Sequence, residues 1–155
     1  MPTRLLQEIR QTRPFTSLEQ EAHLSILRTA AALDHALAEA LKPHGVTPTQ
    51  YNVLRILRGA GDKGLCRNDV SERMVARVPD ATRLLDRMEA AGMIRRERGT
   101  EDRRFVTTHI TDQGLRLLEE LEGPVQELHR KHLGHLGEED LAALVALMDR
   151  VREAL

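Results

Sequence analysis

Four arginines in this chain have the type and spacing to do chemistry. Arg83 and Arg87 stand one helical turn apart, and Arg103 and Arg104 are adjacent in "GTEDRRFVTTHIT" (residues 99–111), next to Glu101 and Asp102. A guanidinium presents its donors as a planar fork. The fork fits two phosphate oxygens, or the O6 and N7 acceptors of guanine. Turns ordinarily take Gly, Asn or Pro, so a pair of arginines in one needs a reason. The chemistry open to these residues is anion recognition. Nothing points to bond-making: there is no Gly-rich phosphate loop, no nucleophile elbow and no convincing metal set, so no enzyme and no cofactor are expected.

Net charge over the 155 residues is −1, which taken alone argues against a polyanionic partner. Its distribution argues the other way. Residues 73–104 carry nine arginines against six acids, so the rest of the chain is acidic. One segment then faces an anion while the remainder keeps the molecule soluble. Ordinary scatter of surface charge accounts for the same excess, and spacing has to decide.

The elements that position these residues follow from caps and periodicity. At 155 residues, with 41% apolar and 30% charged, the chain has the size and composition of one globular domain. Phe15, Tyr51 and Phe105 are the only aromatics, so the core is expected to be aliphatic and helical. Ser17, with Gln20 as capping-box partner, opens a long helix carrying Leu18, Ala22, Ile26, Leu33, Leu37 and Leu41, which ends before "KPHG". Thr47 caps the next helix with Pro48 in its first position, and Val53, Leu54 and Leu57 face inward. "GAGDKG" reads as a loop. A short helix is predicted over about 68–75 and another over 79–91, with Gly92 in the left-handed position that ends helices.

Residues 93–98 and 105–110 then form two strands around a turn at 99–104. Thr111 caps a further helix with Leu115, Leu118, Leu121, Val125 and Leu128, which Pro124 should kink. "LGEED" opens a last amphipathic helix with Leu141, Leu144, Val145, Met148 and Val151. Helix, turn, helix and hairpin in this order make a winged helix-turn-helix. The expected class is mainly α with a small β-hairpin wing, and 46–110 form the reading domain. The outer helices, 1–45 and 111–155, are too leucine-rich for a monomer of this size to bury. They are expected to form a discontinuous dimerisation region. A compact monomeric bundle is the alternative.

On a wheel of about 100° per residue, Ala81, Leu84, Leu85 and Met88 fall on one face of the 79–91 helix, with Pro79, Arg83, Asp86, Arg87 and Ala90 opposite. That exposed face, with Thr82, is the expected major-groove surface of double-stranded DNA. Asp80 either favours the helix dipole or accepts from a cytosine amino group, and the dipole role is favoured. Arg77 precedes the helix, and Arg67 and Asn68 open the one before it, where free amides suit a phosphate. Each of these is also plausible plain surface. At the wing tip, one arginine would enter the narrow, negative minor groove while Asp102 holds a guanidinium in place. A neutral, salt-bridged turn explains the same composition.

"YNVLRILRGAG", "PDATRLLDRMEAAGMIRRERGTEDRR" and "THITDQG" resemble the MarR family of bacterial winged-helix transcription regulators, closely over residues 47–114. The resemblance implies a homodimer on a palindromic operator. It places the 79–91 helix in the major groove and the D-x-R pair Asp102 and Arg104 at the minor groove, with Arg103 an equal candidate. It also implies repression, relieved by a small organic effector or by oxidation, the effector bound in a crevice between the long helices and the reading domain. Two departures stand out: Asp80 replaces a small or hydroxylated residue, and Pro124 bears on half-site spacing.

Other switches are weaker readings. Cys66, the single cysteine, excludes an intrachain disulfide and reads as a small core filler, with redox sensing as the alternative. His129, His132 and His135 step around a helix without completing a tetrahedral set, so no metal is expected. No apolar run suits a signal peptide or membrane span, and a cytoplasmic protein is expected. A winged-helix module that binds protein instead of DNA is the remaining alternative.

Overall fold

The structure is a computed structural model and describes residues 3–155. Its main elements run α1 (Arg4–Glu8), α2 (Leu18–Leu41), α3 (Pro48–Ala60), α4 (Arg67–Arg73), α5 (Ala81–Ala90), β1 (Ile94–Arg98), β2 (Val106–Ile110), α6 (Asp112–Leu133) and α7 (Gly137–Glu153). The predicted class holds: mainly α, with one two-stranded antiparallel hairpin. The chain divides into two compact units, one up to Leu37 and the other Ala38–Leu155.

In the first unit, Ser17 caps α2 by accepting from the Gln20 amide at 3.1 Å. The Gln20 side chain reaches back one residue further than predicted, accepting from the Thr16 amide at 2.8 Å and its hydroxyl at 2.9 Å. Leu5 is buried, whereas Leu18, Leu27 and Leu33 on α2 are exposed.

The second unit holds the core. Thr47 and Gln50 close a full capping box on α3, and Pro48 occupies the first turn, where its missing N–H is harmless. Val53, Leu54 and Leu57 point inward as the pattern predicts, and Leu41, Val70, Leu85, Met88, Ile94 and Leu121 are buried with them. Each is almost fully buried, and burial stabilises by roughly 1.5–3 kcal/mol per side chain of this size.

Several boundaries differ from the sequence reading. Gly59 and Ala60 complete α3, and the rest of the expected loop winds into a 3₁₀ turn, Gly61–Lys63. The short helix stops at Arg73 because the Val75 amide is captured by the Asn52 side chain at 2.9 Å, leaving Met74 extended. α5 starts at Ala81, since the Asp80 carboxylate accepts from the Arg83 amide at 2.9 Å and becomes the N-cap.

Gly92 is left-handed at φ 77°. Its amide donates to Glu89 O and the Met93 amide to Met88 O, both at 3.0 Å, the paired bonds of a Schellman ending. The hairpin follows at once, with Ile94 opposite Ile110 and Arg98 opposite Val106. Leu65 adds a one-residue third strand: its amide donates to Thr108 O at 3.0 Å and the Thr108 amide returns a bond at 2.7 Å. A single paired residue has no period, so the pattern could not announce it. α6 continues through Pro124. The proline is exposed, so the carbonyl it leaves without a donor can be hydrated.

Candidate nucleic-acid interface

The face of α5 divides as the wheel predicts. Leu85 and Met88 are buried, Ala81 and Leu84 half-buried, and Thr82, Arg83, Asp86, Arg87 and Ala90 exposed. Arg83 and Arg87 therefore project to solvent from one side of a helix whose other side is fixed in the core. Asp80 is committed to the cap, which is the dipole-favouring place expected for it. Arg67 and Thr82 meet each other: the Arg67 guanidinium donates to the Thr82 hydroxyl at 2.8 Å, tying the start of α4 to the start of α5. Asn68 and Arg77 are exposed on either side of that joint. Cys66 is the half-buried N-cap residue of α4, with no side-chain cap bond.

The wing tip is ordered by its own acid. The Asp102 carboxylate accepts from the Arg104 amide at 2.9 Å and from Arg104 Nε at 3.3 Å. The Arg104 side chain is 92% exposed even so, which leaves its terminal donors free for an anion. Arg103 is exposed beside it. Gly99 permits the turn, because a Cβ there would lie 2.5 Å from Asp102 O. "THITDQG" has a mechanical role. Thr111 donates its hydroxyl to Gly92 O at 2.6 Å and accepts from the Gly114 amide at 3.1 Å, while Gln113 donates to Ala91 O at 3.2 Å. The start of α6 is thereby pinned to the end of α5.

The sequence reading missed Arg96. From β1 it donates through Nη2 to Asp86 at 2.6 Å and Glu89 at 2.9 Å, and its amide donates to the other Glu89 oxygen at 3.0 Å. Hydrogen bonding to Arg96 holds the Glu89 carboxyl below its ordinary range, and the same bonds raise the Arg96 guanidinium.

Comparison with known proteins agrees with this architecture. The sequence model described as the MarR family matches residues 46–106. The multiple antibiotic resistance protein MarR of Salmonella typhimurium is 31% identical over 121 residues, covering 76% of this chain and 81% of that protein. This chain belongs to the MarR family. A MarR transcription factor from Planctomyces limnophilus superposes with a TM-score of 0.68 at 38% identity, over 88% of this chain and 98% of that one. MepR of S. aureus, in a DNA complex, reaches 0.78 at 22% identity over 92% and 100%, a likeness of fold alone. The protein is thus a MarR-family transcriptional regulator with a winged-helix DNA-binding fold, and its relatives are regulators, not enzymes. Among the described residues no helix is long and apolar enough to cross a membrane.

Two further features of this MarR-family chain bear on switching. Between α3 and α6 lies a cleft of about 230 Å³, with Leu118 and Val125 among its lining. Tyr51, Arg55, Arg58, Gln126 and His129 also border it, against one carboxylate, Glu122. Arg55 donates to the Tyr51 hydroxyl at 3.3 Å and lies 5.9 Å from the ring centroid. Of the C-terminal histidines only His132 is even half-buried, and among the described residues no three potential metal ligands gather.

His109, on β2, is 93% buried by exposure of 7%. Its Nδ1 has no hydrogen-bond partner, and Nε2 meets the Thr107 hydroxyl at 2.9 Å. Burial lowers its pKa from the ordinary histidine value, Arg95 opposite lowers it further, and Asp62 opposes. Glu97 lies 3.6 Å from Nε2, and the lowered pKa favours the neutral ring beside it. Because the folded value is depressed, the unfolded chain takes up this proton first. Stability should fall as pH drops below about 6.5. Thermal melting of wild type and His109→Gln between neutral and acid pH checks this: the variant should lose part of the slope, and identical slopes would remove His109 as the cause.

Proposed function

We propose that the protein is a homodimeric repressor that holds a palindromic operator and releases it when a small organic anion binds. The observation that carries the DNA half is the joint presentation, from one compact unit, of the Arg83/Arg87 face of α5 and an exposed, acid-tethered Arg104 at the wing tip. Residues 46–110 do the reading on this account. Arg83 and Arg87 approach the major groove with Thr82, and Arg103 and Arg104 the neighbouring minor groove with Asp102 as support. Arg67, Asn68 and Arg77 face the backbone around the entry point, and Asp80 contributes through its cap.

Residues 1–45 and 111–155 pair the two copies. Leu18 and Leu27 on α2 and Leu144, Val145, Leu147 and Val151 on α7 are exposed in the single chain, and large exposed apolar stripes favour association. The α3–α6 cleft supplies the effector site. Its guanidinium groups, phenol and imidazole outnumber Glu122 and suit a carboxylate on a small apolar body.

Binding to duplex DNA across a salt series tests the reading. Affinity should fall steeply as salt rises, because phosphate contacts release counterions. A protein-interaction module would bind weakly and without that slope. Arg104→Ala should weaken binding most where the flanks are A/T-rich, since a narrow minor groove concentrates negative potential. Indifference to the flanks would remove groove insertion. Release of the duplex by benzoate, abolished in Arg55→Ala, is the readout for the effector half, and release that survives the substitution moves the site elsewhere.

A further inference from the structure

Arg96 fastens the wing to the reading helix by side-chain hydrogen bonds. Its β1 position pairs with Thr108, whose amide and carbonyl are both spent on Leu65. Arg96 and Thr108 are therefore a non-hydrogen-bonded pair, and the Arg96 amide points out from the free edge of the hairpin. There it meets Glu89 Oε2 at 3.0 Å, while the same carboxylate's Oε1 accepts from Arg96 Nη2 at 2.9 Å. Glu89 thus clasps one residue by backbone and side chain together. Asp86, one turn earlier, takes Nη2 at 2.6 Å. The Arg96 side chain is only 25% exposed, unlike the ion pairs scattered over the surface.

The covalent link between α5 and β1 is a Gly92 turn, which fixes where the strand begins and leaves its inclination to other contacts. A strand advances about 3.3 Å per residue, so the wing tip lies roughly 15–20 Å beyond this joint, and a 10° swing there moves the tip about 3 Å. That is a whole hydrogen-bond length.

We propose that Arg96 is the positioning residue that sets the wing's inclination to the reading helix, so that helix and wing tip meet neighbouring grooves in register. The inference rests on the DNA-reading assignment of α5 and the wing. It makes Arg96 a determinant of flank preference without contact to a base.

The test uses the full chain and a duplex carrying its selected site, with A/T-rich or G/C-rich flanks. Wild type, Arg96→Ala, Arg104→Ala and the double variant are compared, each normalised to its DNA-binding-competent fraction. Arg96→Ala should bring the flank ratio close to one, as Arg104→Ala does, while affinity for the G/C-flanked site changes by less than about threefold. The double variant should be no weaker than Arg104→Ala alone, because the two act through one contact. Arg96→Lys keeps the charge but not the fork, and should recover part of the preference. If Arg96→Ala does not fold, Glu89→Gln with Arg96→Lys gives the same readout. A flank ratio kept by Arg96→Ala, or by the Glu89→Gln, Arg96→Lys pair used in its place, or losses that multiply in the double variant, overturns the inference alone. A wild type that binds no duplex overturns the DNA reading itself.

Discussion

Arg83→Ala is expected to weaken binding to the selected operator by on the order of 1–3 kcal/mol per reading helix, five- to more than a hundredfold, if the guanidinium meets a base edge. Arg83 is placed for this. Its amide is fixed by the Asp80 cap, its neighbours Leu84 and Leu85 are turned to the core, and its side chain stands in solvent. Binding to the operator and to a random duplex is measured side by side. A loss confined to the operator marks base recognition, and equal losses on both reassign Arg83 to phosphate. Because the N-cap bond uses the Arg83 backbone, α5 should survive the substitution. An altered circular dichroism spectrum would contradict that.

Gly114→Ala is the largest expected effect on stability. Gly114 is buried in the first turn of α6, and an added Cβ would lie 2.5 Å from the Met93 carbonyl oxygen and 2.8 Å from Ile110 Cγ1. Neither neighbour moves cheaply: Met93 accepts from the Thr111 amide at 3.1 Å, and Ile110 ends β2. Overpacking of this kind costs about 1–3 kcal/mol or more, seen as a lower urea midpoint with an unchanged slope. DNA affinity should fall as well, since the Thr111–Gly114 turn seats α6 against Ala91 and Gly92. A variant as stable as wild type would show that α6 can back away from the wing at no cost.

These two residues also show what the sequence reveals and what it conceals. The arginine face of α5 was legible because helical periodicity separates Leu85 and Met88 from Arg83 and Arg87. The wing was legible from its alternation, and its acid from adjacency: Asp102 and Arg104 are two residues apart and do bond. One helix limit slipped because a side chain from elsewhere intervened. Asn52 takes the Val75 amide across 23 positions, and no local pattern encodes that. Arg96 was passed over for the same reason. Within "IRRER" it looks like one more surface charge, and only the return of β1 along α5 brings it to Asp86 and Glu89. The Leu65 bridge and the burial of His109 beneath Gly64 likewise exist only once the hairpin has folded back.

The most direct measurement is selection of bound sequences from a random duplex pool, with the mass of the complex read by sedimentation. A paired protein offering helix and wing from each copy should enrich an inverted repeat. Its half-site centres should lie about one helical turn apart, with A/T-rich sequence where the wings descend, and two chains should sit on each duplex. Enrichment of an asymmetric site by a single chain, or no enrichment at low salt, would contradict it.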